Sequence, residues 1–449
     1  MVDLSFCIPF DLARVEDDPT LPDQADVVVI GGGIVGISAA YYLAKKGFSV
    51  AVIEKGAVAA EQSSRNWGWV RQQNRDAREL PLAKWSLAEW AILAQEIGPE
   101  LSFVRKGLTY VTDNENELAS WEKWVSMARG YDVHSRLLTA SEVNTMMPAS
   151  PGRWVGGVQS PTDGYAEPTK ACSAIAKAAR RLGATIHQNC AARGMETQAG
   201  AISGVVTEKG TIRTSRVLCA GGAWTSLFCR RHGVRFPQVG VRATAFATKP
   251  GPRVIEGGFS TPSFTFRPRD DGGYTVSIRG RARVELTPQA FRYAREFMPM
   301  FRARWSTSLS LGISSFAFSG PEALSSWTLD SISPFERTRV LNPAADQKTI
   351  RLALNALTKS FPTLAGIGVA RQWGSWIDST PDAVAAIGPV PEIPGFFIAS
   401  GFSGHGFGVG PAAGRLAADL ITNDAPIVDP SPLRFTRFSE KDLDAPAAM

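Results

Sequence analysis

Gly31, Gly33 and Gly36 stand in the G-x-G-x-x-G pattern, and Glu54 closes the next apolar run. Residues of these types at this spacing can hold a dinucleotide. The first glycine permits a tight turn, the second lets backbone approach a pyrophosphate, and the third lets helix pack on strand. The acid accepts hydrogen bonds from ribose hydroxyls. The pattern works only if particular elements carry it. The apolar run 27–30, opened by Asp26, predicts a buried parallel strand. The period of 37–45 predicts a helix that Gly47 stops, and 49–53 predicts a second strand ending on Glu54. Such a unit turns the helix N-terminus, with its unpaired N–H groups and positive dipole end, toward the phosphates.

The remaining chemistry-bearing residue types exclude several classes. Cys7, Cys172, Cys190, Cys219 and Cys229 contain no C-x-x-C pair and read as reduced, mostly buried thiols of a cytoplasmic protein. His134, His187, His232 and His405 lie far apart, so no metal-ligand spacing arises. The net charge of +6 is interspersed, unlike the dense block of a nucleic-acid arm. It suits an anionic substrate or the anionic inner face of a membrane. Residues 1–24 are acidic, with no basic start and no apolar segment, so they read as an extra arm and not a secretion signal. No window reaches the length of a membrane span. A chain of 449 residues is too long for one small core.

Further along, periodicity predicts a helix over 80–97 carrying Trp85 and Trp90, a strand over 108–112 and a helix over 115–129. Thr139 and Glu142 make a capping box. A helix over 166–182 follows, then strands over 185–188, 204–207 and 216–220, the last running into Gly221-Gly222-Ala223-Trp224. After Pro237 the alternating segments 239–248, 263–267 and 274–278 predict an antiparallel sheet with a hairpin at Asp271-Gly272-Gly273. Helices are expected over 288–304 and 345–360. The end returns to the αβ pattern, with a strand over 396–399, a glycine-rich loop over 401–410 and a helix over 411–421. Nucleotide-type segments thus sit at the start, middle and end, with strand-rich segments between them.

In this interrupted layout the chain resembles the D-amino acid oxidase / sarcosine oxidase superfamily of FAD-dependent oxidoreductases, glycine-oxidase-like members included. Four segments in order carry the likeness: the glycine turn with Glu54-Lys55; Glu61-Gln62-Ser63-Ser64-Arg65-Asn66-Trp67-Gly68; Cys219-Ala220-Gly221-Gly222-Ala223-Trp224; and Gly401-Phe402-Ser403-Gly404-His405-Gly406-Phe407. The resemblance implies an α/β fold. A Rossmann-like FAD-binding domain (25–96, 152–232 and 378–449) is interleaved with an α+β substrate domain (97–151 and 233–377) that contains a largely antiparallel sheet, after the arm 1–24.

The resemblance also implies roles. Gly31, Gly33, Gly36, Glu54 and Lys55 would hold the adenosine half of FAD. Ser63, Ser64, Arg65, Asn66 and Gly68 would offer donors to the pyrophosphate and ring oxygens. Gly221, Gly222 and Trp224 form a second approach to the nucleotide, and Ala192 aligns with the strand position that pairs the adenine edge. Gly404, His405, Gly406, Phe407 and Gly408 would lie along the flavin, with a helix starting near Gly410 aimed at its pyrimidine side. His405 and Trp376 are candidate catalytic residues. Trp67, Trp69, Trp373 and Trp376 form a candidate aromatic wall. Two positions depart from the family. Ser375 stands where some sarcosine oxidases have the cysteine that bonds the flavin, which implies noncovalent FAD. Ile377 stands where glycine-oxidase-like members have a carboxylate-binding arginine, which makes Arg71 the candidate anchor, with Arg75 and Arg267 in reserve.

The function expected is FAD-dependent oxidation of an amino acid or secondary amine, with hydride passing from Cα to flavin N5 and the imine then hydrolysed. The family's oxygen-activating lysine has no counterpart, since no lysine lies between Lys249 and Lys348. Electrons are therefore expected to pass to a quinone or carrier. A flavin oxidase using oxygen, a flavoenzyme acting on a hydroxy acid and a low-turnover flavoprotein subunit are the alternatives.

Overall fold

The computed structural model describes residues 11–149, 153–304, 309–313 and 320–440. The chain forms an α/β fold on two main sheets. The first has six strands in the order Ala386–Pro389, Phe396–Ser400, Val217–Cys219, Val27–Ile30, Val50–Ile53 and Thr185–His187. All neighbours are parallel except the outermost pair, Ala386–Pro389 and Phe396–Ser400. Val27 to Ile30 are β-branched and buried throughout, as a central parallel strand covered on both faces requires. Segments from the start, middle and end of the chain therefore share this sheet, as the interleaved pattern predicts.

Helices cover the sheet. Ile34–Lys45 packs against Gly406–Thr422 and Pro168–Arg181. The sequence predicted a helix start near Gly410, but the helix begins at Gly406 and runs through Pro411 to Thr422. The glycines here serve close packing. A Cβ on Gly414 would lie 2.5 Å from the Ala39 nitrogen, and one on Gly410 would lie 2.7 Å from the Ile34 side chain. Tertiary packing outweighs the weak helix propensity of glycine and the hydrogen bond lost at Pro411.

The second sheet is larger and mostly antiparallel. Its order is Leu309–Gly312, Ala282–Glu285, Val239–Thr248, Tyr274–Ser277, Thr265–Pro268, Gly258–Ser260, Leu108–Thr112, Gly156–Ser160 and Arg136–Thr139. Val369–Ser379 pairs with Val239–Thr248 along nearly its whole length, from Val239 opposite Ser379 to Thr248 opposite Val369. Gly156–Ser160 belongs here, so this sheet extends past the boundary at 152 read from the sequence. The helix expected over 288–304 is two helices, Pro288–Arg292 and Ala294–Arg304, interrupted at Tyr293. Ala192–Gln198, Ala201–Thr207 and Gly210–Arg213 form a small antiparallel sheet of their own.

The described part of the N-terminal arm runs along the edge strand Thr185–His187. Asp18 accepts the Ile186 amide proton at 2.8 Å, and His187 Nδ1 lies 2.6 Å from the Asp18 carbonyl. The arm thereby covers a strand edge that would otherwise present free backbone groups. Cys7 lies outside the described residues. The other four cysteines are buried and unbridged. Among the described residues no helix is long and apolar enough to cross a membrane.

Candidate active site

A groove opens where the glycine turn, the acid and the second glycine turn meet. Gly31 adopts φ of 111°, and a Cβ there would lie 2.4 Å from the Ala220 carbonyl oxygen, so only glycine fits. Gly36 is as restricted, with the Gly31 carbonyl oxygen 2.1 Å from a built Cβ. The helix that follows has no side-chain cap from its N-cap residue Gly33. Instead Ser63 Oγ accepts the Ile34 amide proton at 2.8 Å. The first-turn amides thus border the groove with a positive dipole end.

Glu54 lines the groove and lies between the two turns. Oε2 accepts the Gly32 amide proton at 2.7 Å and Oε1 that of Gly56 at 2.6 Å. Burial pushes its carboxyl pKa up, against the opposing pull of Lys55 and the two amides. Lys55 Nζ donates to Glu61 Oε1 at 2.7 Å and lies 4.4 Å from the Trp224 ring centroid. Trp224 Nε1 donates to the same Glu61 oxygen at 3.1 Å. Lys55, Glu61 and Trp224 therefore clasp one end of the groove, beside Ala192 and Phe335. Glu61 opens the loop segment read from the sequence but was given no role there, and Phe335 is a groove residue that sequence reasoning missed. The capping box of Ser333 and Glu336 signals the short helix that carries Phe335, but no local signal places it here.

Gly221 and Gly222 line the same groove. Gly222 has φ of 51°, and no atom lies within 4 Å of a Cβ built on it. A side chain there would enter the groove.

The loop from Ser63 to Gly68 divides its tasks. Asn66 Nδ2 donates to the Ser63 carbonyl at 2.9 Å, and its Oδ1 accepts the Gly68 amide proton at 2.7 Å. Ser64 Oγ donates to the Glu61 carbonyl at 3.2 Å. Arg65 is not part of the groove lining. Its buried guanidinium donates to Asn342 Oδ1 at 2.8 Å and to the Gly374 carbonyl at 3.2 Å, fastening the loop to strand Val369–Ser379. Gly68, with φ of 80°, leaves room for the Ala166 carbonyl oxygen, 2.3 Å from a built Cβ.

The tryptophans separate. Trp67 and Trp69 meet edge-on with centroids 5.0 Å apart, and Trp67 packs on Trp373. Trp376 lies on the opposite face of its strand, because positions three apart alternate, and sits in the core with Trp224 and Phe335. The structure thus brings three of the four together and leaves Trp376 out. Phe407 likewise packs in the helix core, 5.3 Å from Trp90.

Beyond Trp69 the chain enters a buried polar corner. Asp163 accepts the amide protons of Gln72 at 2.9 Å and Gln73 at 3.1 Å, and burial pushes its carboxyl up to about 6. Arg71 Nη1 donates to the Gln73 carbonyl. Arg75 Nε reaches the Arg71 carbonyl at 3.4 Å. His405, the N-cap of helix Gly406–Thr422, has Nδ1 3.1 Å from Glu79 Oε2. Burial, aided by Arg75, lowers the imidazole to about 4. Gly408 closes this side, since a Cβ on it would lie 2.8 Å from the Trp69 carbonyl oxygen. Gly404 and Ile377 are neighbours. Arg71 and His405 are thus brought into one corner. Glu79, Asp163 and Gln73 are partners there that the sequence did not signal.

The comparisons define the class. A family model described as FAD dependent oxidoreductase, DAO, matches residues 26–420. The chain belongs to the DAO family of FAD-dependent oxidoreductases. Among solved structures it is similar to L-amino acid deaminase from Proteus myxofaciens in complex with anthranilate, at TM-score 0.90 and 30% identity over 95% of this chain and 96% of that one. It is also similar to L-proline dehydrogenase from P. horikoshii, at TM-score 0.77 and 27% identity over 94% of this chain and 100% of that one. Among sequences it is 25% identical to mitochondrial sarcosine dehydrogenase of Homo sapiens over 95% of this chain, and so spans only 43% of that relative. The groove fits the adenosine and pyrophosphate portion of FAD: an amide-rich helix start, a half-buried acid, and a glycine whose missing side chain leaves the space open.

Proposed function

We propose that this protein oxidises an amino acid or amine that carries a carboxylate, using noncovalent FAD. One observation carries the carboxylate. The Gln73 side chain is fully buried, yet neither its amide oxygen nor its nitrogen has a hydrogen-bond partner, and the same holds for Arg75 Nη1. Each such orphan costs roughly 1–3 kcal/mol. Donors beside Arg71 that lack partners are what a carboxylate would satisfy, by a charge-assisted and bidentate contact. Bound FAD supplies the acceptor for hydride from the substrate carbon. The protein's own share is to hold FAD through Glu54, Ser63 and the helix start, to orient the substrate from Arg71 and Arg75, and to exclude water with Trp67, Trp69 and Trp373.

Ser375 supports noncovalent attachment, since a hydroxyl stands at the position where some relatives carry the bonding cysteine. Acid precipitation should leave all yellow colour in the supernatant. Transfer of electrons to a quinone or carrier is supported by the lysine-free run from 250 to 347.

Contact with an anionic membrane surface is supported by exposed apolar side chains. Phe291 is 70% exposed and Ile313 66%, with Met298 and Leu311 also exposed. The exposed Arg292, Arg295 and Arg302 lie on the same two helices as Phe291 and Met298. Exposed apolar side chains on helices that also carry exposed arginines suit an interfacial position. Cosedimentation with phosphatidylglycerol vesicles and not with phosphatidylcholine vesicles is the expected result.

The test of the reaction is anaerobic mixing of the FAD-loaded protein with D-, L- and N-alkyl amino acids. At least one should bleach the flavin. A flavin that stays oxidised with all of them overturns the reading.

A further inference from the structure

Five ionisable groups meet in the buried corner from three separate segments, with Arg71, Arg75 and Glu79 on one connection. Arg71 and Arg75 follow strand Trp69–Val70, Glu79 precedes helix Leu80–Ile97, Asp163 sits between strands Gly156–Ser160 and Gly164–Tyr165, and His405 caps helix Gly406–Thr422. Glu79 is tied down twice, by His405 Nδ1 at 3.1 Å and by the Ala385 amide at 3.4 Å. Burial opposes its ionisation, but the hydrogen bond from His405 and the charge of Arg75 work against burial, and its carboxyl is held below the ordinary range. An ionised carboxylate only accepts. The proton between the two side chains is therefore on Nδ1, and in a neutral imidazole Nε2 is left as a bare lone pair.

The charges facing His405 have opposing effects. Burial and the guanidiniums of Arg75 and Arg71 disfavour the imidazolium, whereas Glu79 favours it. Asp163 faces the same two arginines. The arginines are the groups beside which Gln73 and Arg75 Nη1 lack partners. A carboxylate placed on them would cancel the arginines' share of what keeps the ring neutral, the rest being burial. Ligand occupancy and the basicity of His405 are thereby coupled through two guanidiniums.

We propose that Glu79 is a positioning residue that fixes His405 as the Nδ1–H tautomer, and that Nε2 takes a proton from the substrate ammonium once the substrate carboxylate occupies Arg71 and Arg75. This rests on the amino-acid reading above. The step moves one proton and no electrons: the ammonium N–H bond breaks, an Nε2–H bond forms, and the nitrogen keeps the lone pair. That lone pair is what the substrate needs before its Cα can release hydride to FAD. Glu79 stabilises the imidazolium meanwhile. When product leaves, the arginine field returns and expels the proton to solvent, which resets the site.

The test is a titration of ¹⁵N-histidine in the FAD-loaded protein. The chain has four histidines, and His405→Asn identifies the signal. The wild type should show the Nδ1–H tautomer. Benzoate, a carboxylate that cannot be oxidised at Cα, should raise the His405 titration midpoint by at least one pH unit. Arg71→Gln, at a half-buried position, should raise it without any ligand. Glu79→Gln should shift the tautomer toward Nε2–H and lower the benzoate-bound midpoint, and Glu79→Asp should restore part of it. A wild-type Nε2–H tautomer, or a midpoint indifferent both to benzoate and to Arg71→Gln, overturns the proposal. These spectra do not depend on turnover. If amino acids bleach the flavin while His405 stays indifferent, the inference falls alone. If no amino acid bleaches it, the functional reading falls and the ammonium step falls with it.

Discussion

Glu54 Oε2 accepts the amide proton of Gly32 at 2.7 Å, so the acid at the end of one parallel strand closes the glycine turn at the end of its neighbour. One side chain therefore shapes the turn and offers its carboxylate to the groove. Glu54→Ala removes both functions. FAD affinity should fall tenfold or more, in line with about 1.5–3 kcal/mol for a hydrogen bond to a charged group. Glu54→Gln, which keeps one acceptor, should lose less. Fluorescence titration of apoprotein with FAD measures both, and wild-type affinity in Glu54→Ala would remove the ribose assignment.

Arg71→Lys keeps the charge but loses the planar fork. The apparent substrate constant should rise at least tenfold while FAD stays bound, and the effect should be small for a substrate that lacks a carboxylate. Unchanged steady-state kinetics would move the anchor to Arg75 or elsewhere.

Gly414→Ala probes the fold and not the chemistry. The added methyl would meet Ala39 and Ser38 on the facing helix. Overpacking of this kind costs roughly 1–3 kcal/mol. Thermal unfolding should show the loss. An unchanged melting temperature would mean that the two helices can move apart freely.

Asp378 gives a pH dependence with a definite sign. Burial pushes its carboxyl up to about 6, although the amides of Gly401 and Phe402 donate to it. A group with a raised folded pKa contributes stability that is complete below its unfolded value and lost as pH rises through the folded one. Asp378→Asn removes that loss. Relative to wild type, the variant should gain roughly 1–3 kcal/mol between pH 4 and pH 8. Denaturant unfolding at the two pH values decides it, and a constant difference would contradict the shift.

The nucleotide half was legible in the sequence because its signals are local. The glycine spacing, the apolar runs and the period of 37–45 each lie within one short stretch of chain, and that helix is found as Ile34–Lys45. Strand Val369–Ser379 was not legible. Its exposure does not alternate, Gly374 interrupts it, and its partner strand is far away in the chain. The start of helix Gly406–Thr422 was hidden because glycine and proline normally mark a boundary, and here packing against the first helix decides. The polar corner was hidden for a further reason. Arg71 and His405 each stood out, but Glu79 and Asp163 gain their meaning only when three distant segments converge.

The central claim is that a carboxylate-bearing substrate gives hydride to FAD from this corner. The most direct measurement is anaerobic mixing of the FAD-loaded protein with an amino acid and, separately, with the amine that results from its decarboxylation. The amino acid should bleach the flavin at least tenfold faster than the amine at equal concentration. Equal rates for the pair, or an oxidised flavin with every pair tried, would contradict the account.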